Sequence, residues 1–486
     1  MKKIYIYLYI LLQLFHFSYS AGRLIFLYTH FRHGARGPNQ LNNNNIDRLG
    51  EKWEGLGEIT GVGERMQYLL GLRNRKKYIE QEKFLSEKFD PHQMLIFTSA
   101  VNRTMISCYS QLQGLYPQSV DKGETLSLEQ EEKAYPPVLD EIKEKDADIE
   151  KAKTELGKYA LPYSMMLAPA RMININEIRM NIADSGKCGD KVINATKNNL
   201  NVKEFQDFIF KFNQNYAEKL NKYYNKEKAE FNFLELNYIC DNFLCDYTEN
   251  RTMEDFKDKT GLDFEEFKGA CFEFIKNIYI YGFHGDEEKI FSHVESSKFF
   301  REILYYMKRR LDADITEIDE DANYKDYSRP RYIMKSGHDT TVSADIVLLM
   351  KALDIDIKEN LKYPRFASQF VLEVRTNSDK CKSYSDYYVV GIHDNTEIFN
   401  INVEEFINKV EKEIWTDKQV DEYCEINSND NGNNDDNKIK FIYKILLIVF
   451  ICLTVAFMIS TIVLGVKLHK SKNSIPLTQD LDGIEM

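Results

Sequence analysis

The feature that most restricts what this chain can fold into is a short apolar run that ends in charge. Leu24 to Tyr28 reads as a buried strand, and it leads into Phe31-Arg32-His33-Gly34-Ala35-Arg36-Gly37-Pro38. A histidine between two arginines at the end of a strand suits attack on a phosphate. The imidazole supplies the nucleophile, the guanidiniums hold the anion, and Gly34 lets the backbone come close. The rest of such a site is to be sought far downstream.

Two further runs repeat the pattern. Met94 to Thr98 is an apolar strand that leads to Arg103, and Tyr332 to Met334 leads to Ser336-Gly337-His338-Asp339-Thr340-Thr341. In an open α/β sheet, ligands bind at the carboxyl ends of strands, so these loops are expected to converge. Gln369 to Val374 and Tyr387 to Ile392 are further strand candidates. Gly61 to Tyr78 has helical spacing, with Met66, Leu69, Leu70 and Leu72 on or near one face. A second helix runs to about Leu115, and Pro117 ends it. From 126 to 279 the chain is rich in Lys, Glu, Asn and aromatics at helical spacing, and charge runs such as Glu141 to Lys153 read as solvated helix faces. The expected fold is α/β. An open mixed sheet flanked by helices is built from residues 21–125 and 280–425, and residues 126–279 form a smaller, mainly helical inserted cap.

Composition narrows the partners. The formal net charge of −12 argues against nucleic acid and makes any phosphate site a local positive pocket on an acidic protein. Both ends carry membrane signals. A basic start, the apolar stretch Ile4 to Phe17 and the small residues Ser18 and Ser20 make residues 1–20 a secretory signal peptide. Residues 426–444 read as a polar stalk. Ile445 to Val466 is free of charge and long enough to span roughly 30 Å of hydrocarbon as one transmembrane helix. Residues 467–486 are then a cytosolic tail, and its polarity disfavours a GPI signal. The expectation is a single-pass type I membrane protein with a lumenal or extracellular body, lysosomal, endosomal or at the cell surface. Of the cysteines, Cys452 lies in the apolar span. Cys108 sits in an apolar helical stretch and is the choice for a buried free thiol. The other six could make three disulfides, and Cys240 and Cys245 could close a local loop. No second close Cys/His pair supports a zinc site.

Arg32, His33, Arg36, Arg103, His338 and Asp339 form the candidate constellation. It resembles the histidine acid phosphatases, a branch of the phosphoglycerate mutase-like superfamily. Their opening signature, Arg-His-Gly-x-Arg-x-Pro, is matched in full by Arg32 to Pro38, and their downstream His-Asp pair by His338-Asp339. Ile59 to Gly63, Ser99-x-x-x-Arg103-Thr104 and Gly114 to Pro117 also resemble the family. The resemblance implies that His33 becomes a phosphohistidine and that Asp339 protonates the leaving oxygen. It implies that Arg32, Arg36, Arg103 and His338 bind the phosphoryl oxygens. It implies no cofactor and no metal, a small phosphate monoester as substrate, and the homodimer common among relatives. A phytase, a lysophospholipid phosphatase and a non-catalytic surface protein that binds phosphorylated ligands are the alternatives. Ala35, Gly37 and Gly337 stand at positions where relatives vary, Gly337 where Ala is common. His393-Asp394 and His284-Gly285-Asp286 are weaker rivals for the acid site, and His30 is read as structural. Asn102, Asn194 and Asn250 are glycosylation sequons, and Asn102 is expected to stay bare beside Arg103.

Overall fold

A strand that reads as buried on both faces belongs at the centre of a sheet. β1 (Arg23–Arg32) is buried along all but its first residue. It pairs in parallel with β4 (Tyr332–Gly337) and antiparallel with β5 (Gln369–Thr376). β2 (Met94–Ser99) lies parallel on the far side of β4, and β3 (Arg171–Ile173) forms that edge. On the other flank, β6 (Tyr387–His393) and β7 (Thr396–Asn402) extend β5 antiparallel. The result is a mixed seven-stranded sheet in the order β3-β2-β4-β1-β5-β6-β7. The computed structural model describes residues 22–39, 55–118, 125–134, 147–161, 167–173, 186–224, 230–251, 253–317 and 328–425. The signal-peptide, stalk, apolar-span and tail readings lie outside the described residues. Among the described residues no helix is long and apolar enough to cross a membrane.

Two strands had no clear signal. β7 is a half-exposed edge of Thr-Glu-Ile-Phe-Asn-Ile-Asn, and β3 has three residues. β3 also means that the helix-rich stretch contributes to the sheet.

Helices cover both faces. On one side α1 (Gly61–Asn74) packs on α2 (Asn102–Leu115). The buried face of α1 is Gly63, Gln67, Gly71 and Asn74, while Leu69 is exposed. The expected leucine face is therefore corrected in part: Leu70 packs against the core, but Leu69 points away, and the close approach of α1 to α2 is made through Gly71 and Gly114. α1 runs on as a π-helical turn, Arg75–Gln81.

The remaining helices include α3 (Gly186–Asn199), α4 (Lys203–Tyr224), α5 (Phe233–Glu249), α6 (Phe264–Asn277), α7 (Ile290–Ile315), α8 (Asp339–Ala352), α9 (Val403–Glu413) and α10 (Asp417–Cys424), and Met253–Thr260 is a short helix between α5 and α6. α4, α5 and α6 join through an aromatic core in which Phe267 meets Phe212, Tyr216, Phe243 and Phe256. Rings in offset and edge contact add to their area burial.

Two disulfides fix this region. Cys240–Cys271 ties α5 to α6, and Cys188–Cys424 ties α3 to α10. The suggested Cys240–Cys245 loop does not form. Five residues along a helix rise about 7.5 Å and turn the side chains apart, beyond a disulfide's reach. Cys108 is a buried free thiol, as are Cys245 and Cys381.

Candidate active site

β2, β4 and β1 are adjacent and parallel, so their carboxyl ends share one edge of the sheet. Arg32 is in register with Gly337, which sets His33 beside His338 and Asp339. The His33 amide donates to the Gly337 carbonyl at 2.9 Å, locking the two loops together. Arg103 enters from the first turn of α2, just past the end of β2. A side chain at residue 34 would place Cβ 2.2 Å from the Gly63 carbonyl oxygen, so the loop lies flat on the start of α1 only with glycine there. The Gly34 amide donates to Ser107 Oγ at 3.0 Å.

His33 is buried, and its Nδ1 lies 2.8 Å from the Gly34 carbonyl oxygen. A carbonyl only accepts, so Nδ1 carries the proton and Nε2 keeps its lone pair. Burial, and then the Arg32 and Arg36 charges, hold the imidazole well below its usual pKa. It therefore stays neutral in acid.

Arg32 pairs with Asp339 at 2.8 Å and donates to Tyr363 Oη and the Pro364 carbonyl. Phe366 lies under this guanidinium at 4.4 Å and reaches Arg36 at 5.7 Å, which keeps the two cations apart. The Nε atoms of Arg32 and Arg36 are buried without a hydrogen-bond partner. Arg103 donates to His338 Nδ1 at 3.4 Å, and His338 Nε2 lies 3.0 Å from Ser99 Oγ. Burial and then Arg103 push His338 down to about 3, so it is neutral here. The His33 and His338 rings are 5.6 Å apart, edge to face. For Asp339, burial pushes the carboxyl up, but the Arg32 and Arg36 charges, with a hydrogen bond from Tyr279, outweigh it and hold it below the usual range.

All six residues singled out from sequence thus meet at one edge of the sheet. Arg36 differs from expectation in one respect. Its Nη atoms embrace the Asp241 carboxylate of α5, at 2.8 and 3.3 Å, and Cys245 Sγ lies 3.7 Å away. Asp241, Tyr363, Tyr279, Ser99 and Phe366 were missed from sequence. Asp241 carried a faint signal, as an acid between two cysteines on a largely apolar helix.

The rivals serve the scaffold. His393 bonds Ser368 Oγ, and Asp394 accepts from Ser368 Oγ and the Gln369 amide. This anchors the loop whose Ala367 amide donates to the His33 carbonyl. His284 is buried between Ser292 and Ser343, and His30 faces Asp345. Asn102, Asn194 and Asn250 are all exposed. A cleft of about 400 Å³ adjoins Arg32 and Asp241, with Met66, Leu70, Leu244 and Phe272 in its wall. Among the described residues no cluster of His, Cys, Asp and Glu is arranged to hold a metal.

Residues 23–391 match the family model of the Histidine phosphatase superfamily (branch 2). Bovine prostatic acid phosphatase is 22% identical over 360 residues, 73% of this chain and 74% of that protein. Human prostatic acid phosphatase is 35% identical over 102 residues, 21% of this chain and 25% of that protein. Xenopus laevis lysosomal acid phosphatase is 31% identical over 87 residues, 18% of this chain and 19% of that protein. The chain thus spans a quarter or less of the length of several curated relatives it matches. Among solved structures, Klebsiella sp ASR1 phytase superposes with a TM-score of 0.50 at 11% identity, covering 81% of this chain and 96% of that one. Hafnia alvei phytase in complex with tartrate gives 0.50 at 13%, covering 83% and 99%. At such identities the likeness is one of fold.

Proposed function

Because this chain belongs to the histidine phosphatase superfamily, branch 2, we propose that it hydrolyses phosphate monoesters through a phosphohistidine on His33. One observation carries the reading. The Gly34 carbonyl accepts a hydrogen bond from Nδ1–H and so leaves Nε2 bare beside the arginines.

The phosphoryl group docks on Arg32, Arg36, Arg103 and His338. Nε2 attacks phosphorus, the P–O ester bond breaks, and Asp339 gives its proton to the departing alkoxide. Water then attacks the phosphohistidine. Asp339 takes a proton from that water, phosphate leaves, and Nε2 regains its lone pair. Catalysis of this kind is positioning and charge stabilisation, which planar, permanently charged arginine supplies.

Asp339 reaches its acid form through the substrate. At rest, Arg32 and Arg36 keep it ionised. A bound phosphate anion neutralises those cations and raises the carboxyl's affinity for a proton. Below about pH 6 a phosphate monoester is largely monoanionic and brings that proton with it. The same anion favours a proton on His338 Nδ1, which then donates to a phosphoryl oxygen. Nucleophile and acid are thus both ready in mildly acidic solution.

The Asp241 carboxylate beside Arg36 and the apolar wall of the adjoining cleft favour an ester with an apolar leaving group over a polyanion. The disulfides fit an oxidising lumen or the extracellular space. The signal peptide and the span Ile445 to Val466 remain sequence-based parts of this proposal, and alkaline-carbonate extraction of membranes tests the anchor.

The mechanism is tested by rapid quench with labelled substrate. Wild type should yield an acid-labile, base-stable phosphoenzyme, and His33→Ala neither phosphoenzyme nor turnover. A labelled His33→Ala protein would exclude His33 as the nucleophile.

A further inference from the structure

Behind the active site lies a set of buried charges that the proposed chemistry does not use. His30 on β1 and Lys335 on β4 are register partners, three residues before His33 and His338 respectively. Both side chains turn to Asp345 on α8. His30 Nδ1 is 2.6 Å from Asp345 Oδ2, and Lys335 Nζ is 3.8 Å from it. Tyr28 Oη and Ser296 Oγ each donate to the same carboxylate at 2.6 Å. Phe299 covers the ammonium at 4.2 Å. Asp345 and His30 are fully buried and Lys335 nearly so. Buried ions are an expensive way to fill a core, since apolar residues of similar volume often serve as well.

The cluster reaches the edge of the candidate site through Thr341. Its hydroxyl lies 3.1 Å from His30 Nε2, and it accepts from the His338 amide at 3.0 Å. Proton bookkeeping fixes its direction. Asp345 is held ionised, because Lys335 and His30 outweigh its burial. A carboxylate accepts, so His30 donates through Nδ1. Burial, and then Lys335, push His30 down to about 4, so above that pH Nε2 is an acceptor. The Thr341 hydroxyl therefore gives its proton to His30 and turns a lone pair to the His338 amide. The His338 carbonyl, 3.0 Å from the same hydroxyl, already accepts from the Val342 amide at 2.9 Å, whereas among the described residues Thr341 is the one hydrogen-bond partner of His30 Nε2, so the proton satisfies more groups on His30. The Gly337–His338 peptide just before α8 is then pinned, and Asp339, the first residue of α8, follows it. Gly337 is part of this arrangement. A Cβ there would lie 2.5 Å from both His30 Nε2 and Thr341 Oγ1, on the hydrogen bond itself.

We propose that the buried His30–Asp345–Lys335 cluster, acting through Thr341, is a positioning device that sets the start of α8 and so aims Asp339 at the leaving oxygen. This rests on the reading of Asp339 as general acid. His30 is a positioning residue, and Gly337 is the space its hydrogen bond needs.

The test compares an unactivated alkyl phosphate with a nitrophenyl phosphate at pH 5.5, above the titration of His30. An alkoxide needs a proton to leave and a nitrophenolate barely does. Gly337→Ala, His30→Val, their double variant and Asp339→Asn are assayed on the full-length protein, with folding followed by circular dichroism. Gly337→Ala and His30→Val should each lower kcat on the alkyl ester about tenfold and on the aryl ester less than about threefold, with KM within about twofold. The double variant should lose less than the product of the two single losses, because valine removes the contact with His30 while the one with Thr341 Oγ1 remains. Gly337→Ala adds a single methyl and carries the test if His30→Val does not fold. Losses that multiply in the double variant would overturn the proposal. So would a wild-type ratio of alkyl to aryl turnover in both single variants while Asp339→Asn shifts that ratio. An unshifted ratio in Asp339→Asn would instead remove the general-acid reading, and the proposal with it.

Discussion

Asp241 holds the two Nη atoms that Arg36 would offer to phosphate, and replacing it tests whether that embrace hinders or helps. In Asp241→Asn the side chain keeps its shape and loses its charge. A phosphate on Arg36 lies about 5 Å from that carboxylate, where two unit charges interact by about 3 kcal/mol at an effective dielectric near 20. Asp241 is one-fifth exposed. Screening then removes about half, leaving about 1.4 kcal/mol, or roughly tenfold in affinity. The assay is competitive inhibition by inorganic phosphate at constant pH and ionic strength. The variant should show a Ki about tenfold lower, with a smaller gap at high salt. Asp241 also accepts from the Asn39 amide at 3.1 Å, so circular dichroism should accompany the assay. An unchanged or higher Ki in folded protein would mean that Asp241 holds Arg36 ready for phosphate, and the repulsion argument would fail.

Three further outcomes follow from the geometry. The pH profile of kcat/KM should fall as pH rises above about 6, as Asp339 and the ester lose the shared proton. On the acid side the decline should come late, because His33 is held well below its usual pKa and stays unprotonated; a profile centred near pH 8 would contradict both assignments. Opening the Cys240–Cys271 disulfide by Cys→Ala changes at both positions frees a loop with a sequence separation of 31. Urea unfolding should then show a loss of about 4 kcal/mol, and phosphate Ki should shift as well, because Asp241 follows Cys240 directly. Chelation should leave turnover unchanged, since none of the proposed steps uses a metal; a loss restored by added zinc would refute that.

The candidate site's edge was legible because its information is local in sequence. Each element of it is an apolar strand followed by charge, and parallel strands end together by construction, so Arg32, His33, Arg103, His338 and Asp339 could be grouped without coordinates. Arg36 was legible as a residue but not in its present contact. Asp241 lies 205 positions away on a helix whose phase against the sheet no local pattern sets. The same reasoning accounts for the error on α1. Its leucines looked like a core face, and Leu70 does pack there, yet it is the glycines that bring it against α2, and helical periodicity counts side chains rather than gaps. His30, Lys335 and Asp345 illustrate the limit most sharply. Each looks like a surface residue by type, and only strand register and the angle of α8 turn them to one point. Reading the sequence alone assigns His30 to structure. The coordinates join it to Thr341 and the peptide just before α8, so that His30 and the candidate site residue His338 are two hydrogen bonds apart. At that distance, packing and aim are one property, and the leaving-group experiment separates them by asking which esters feel the change.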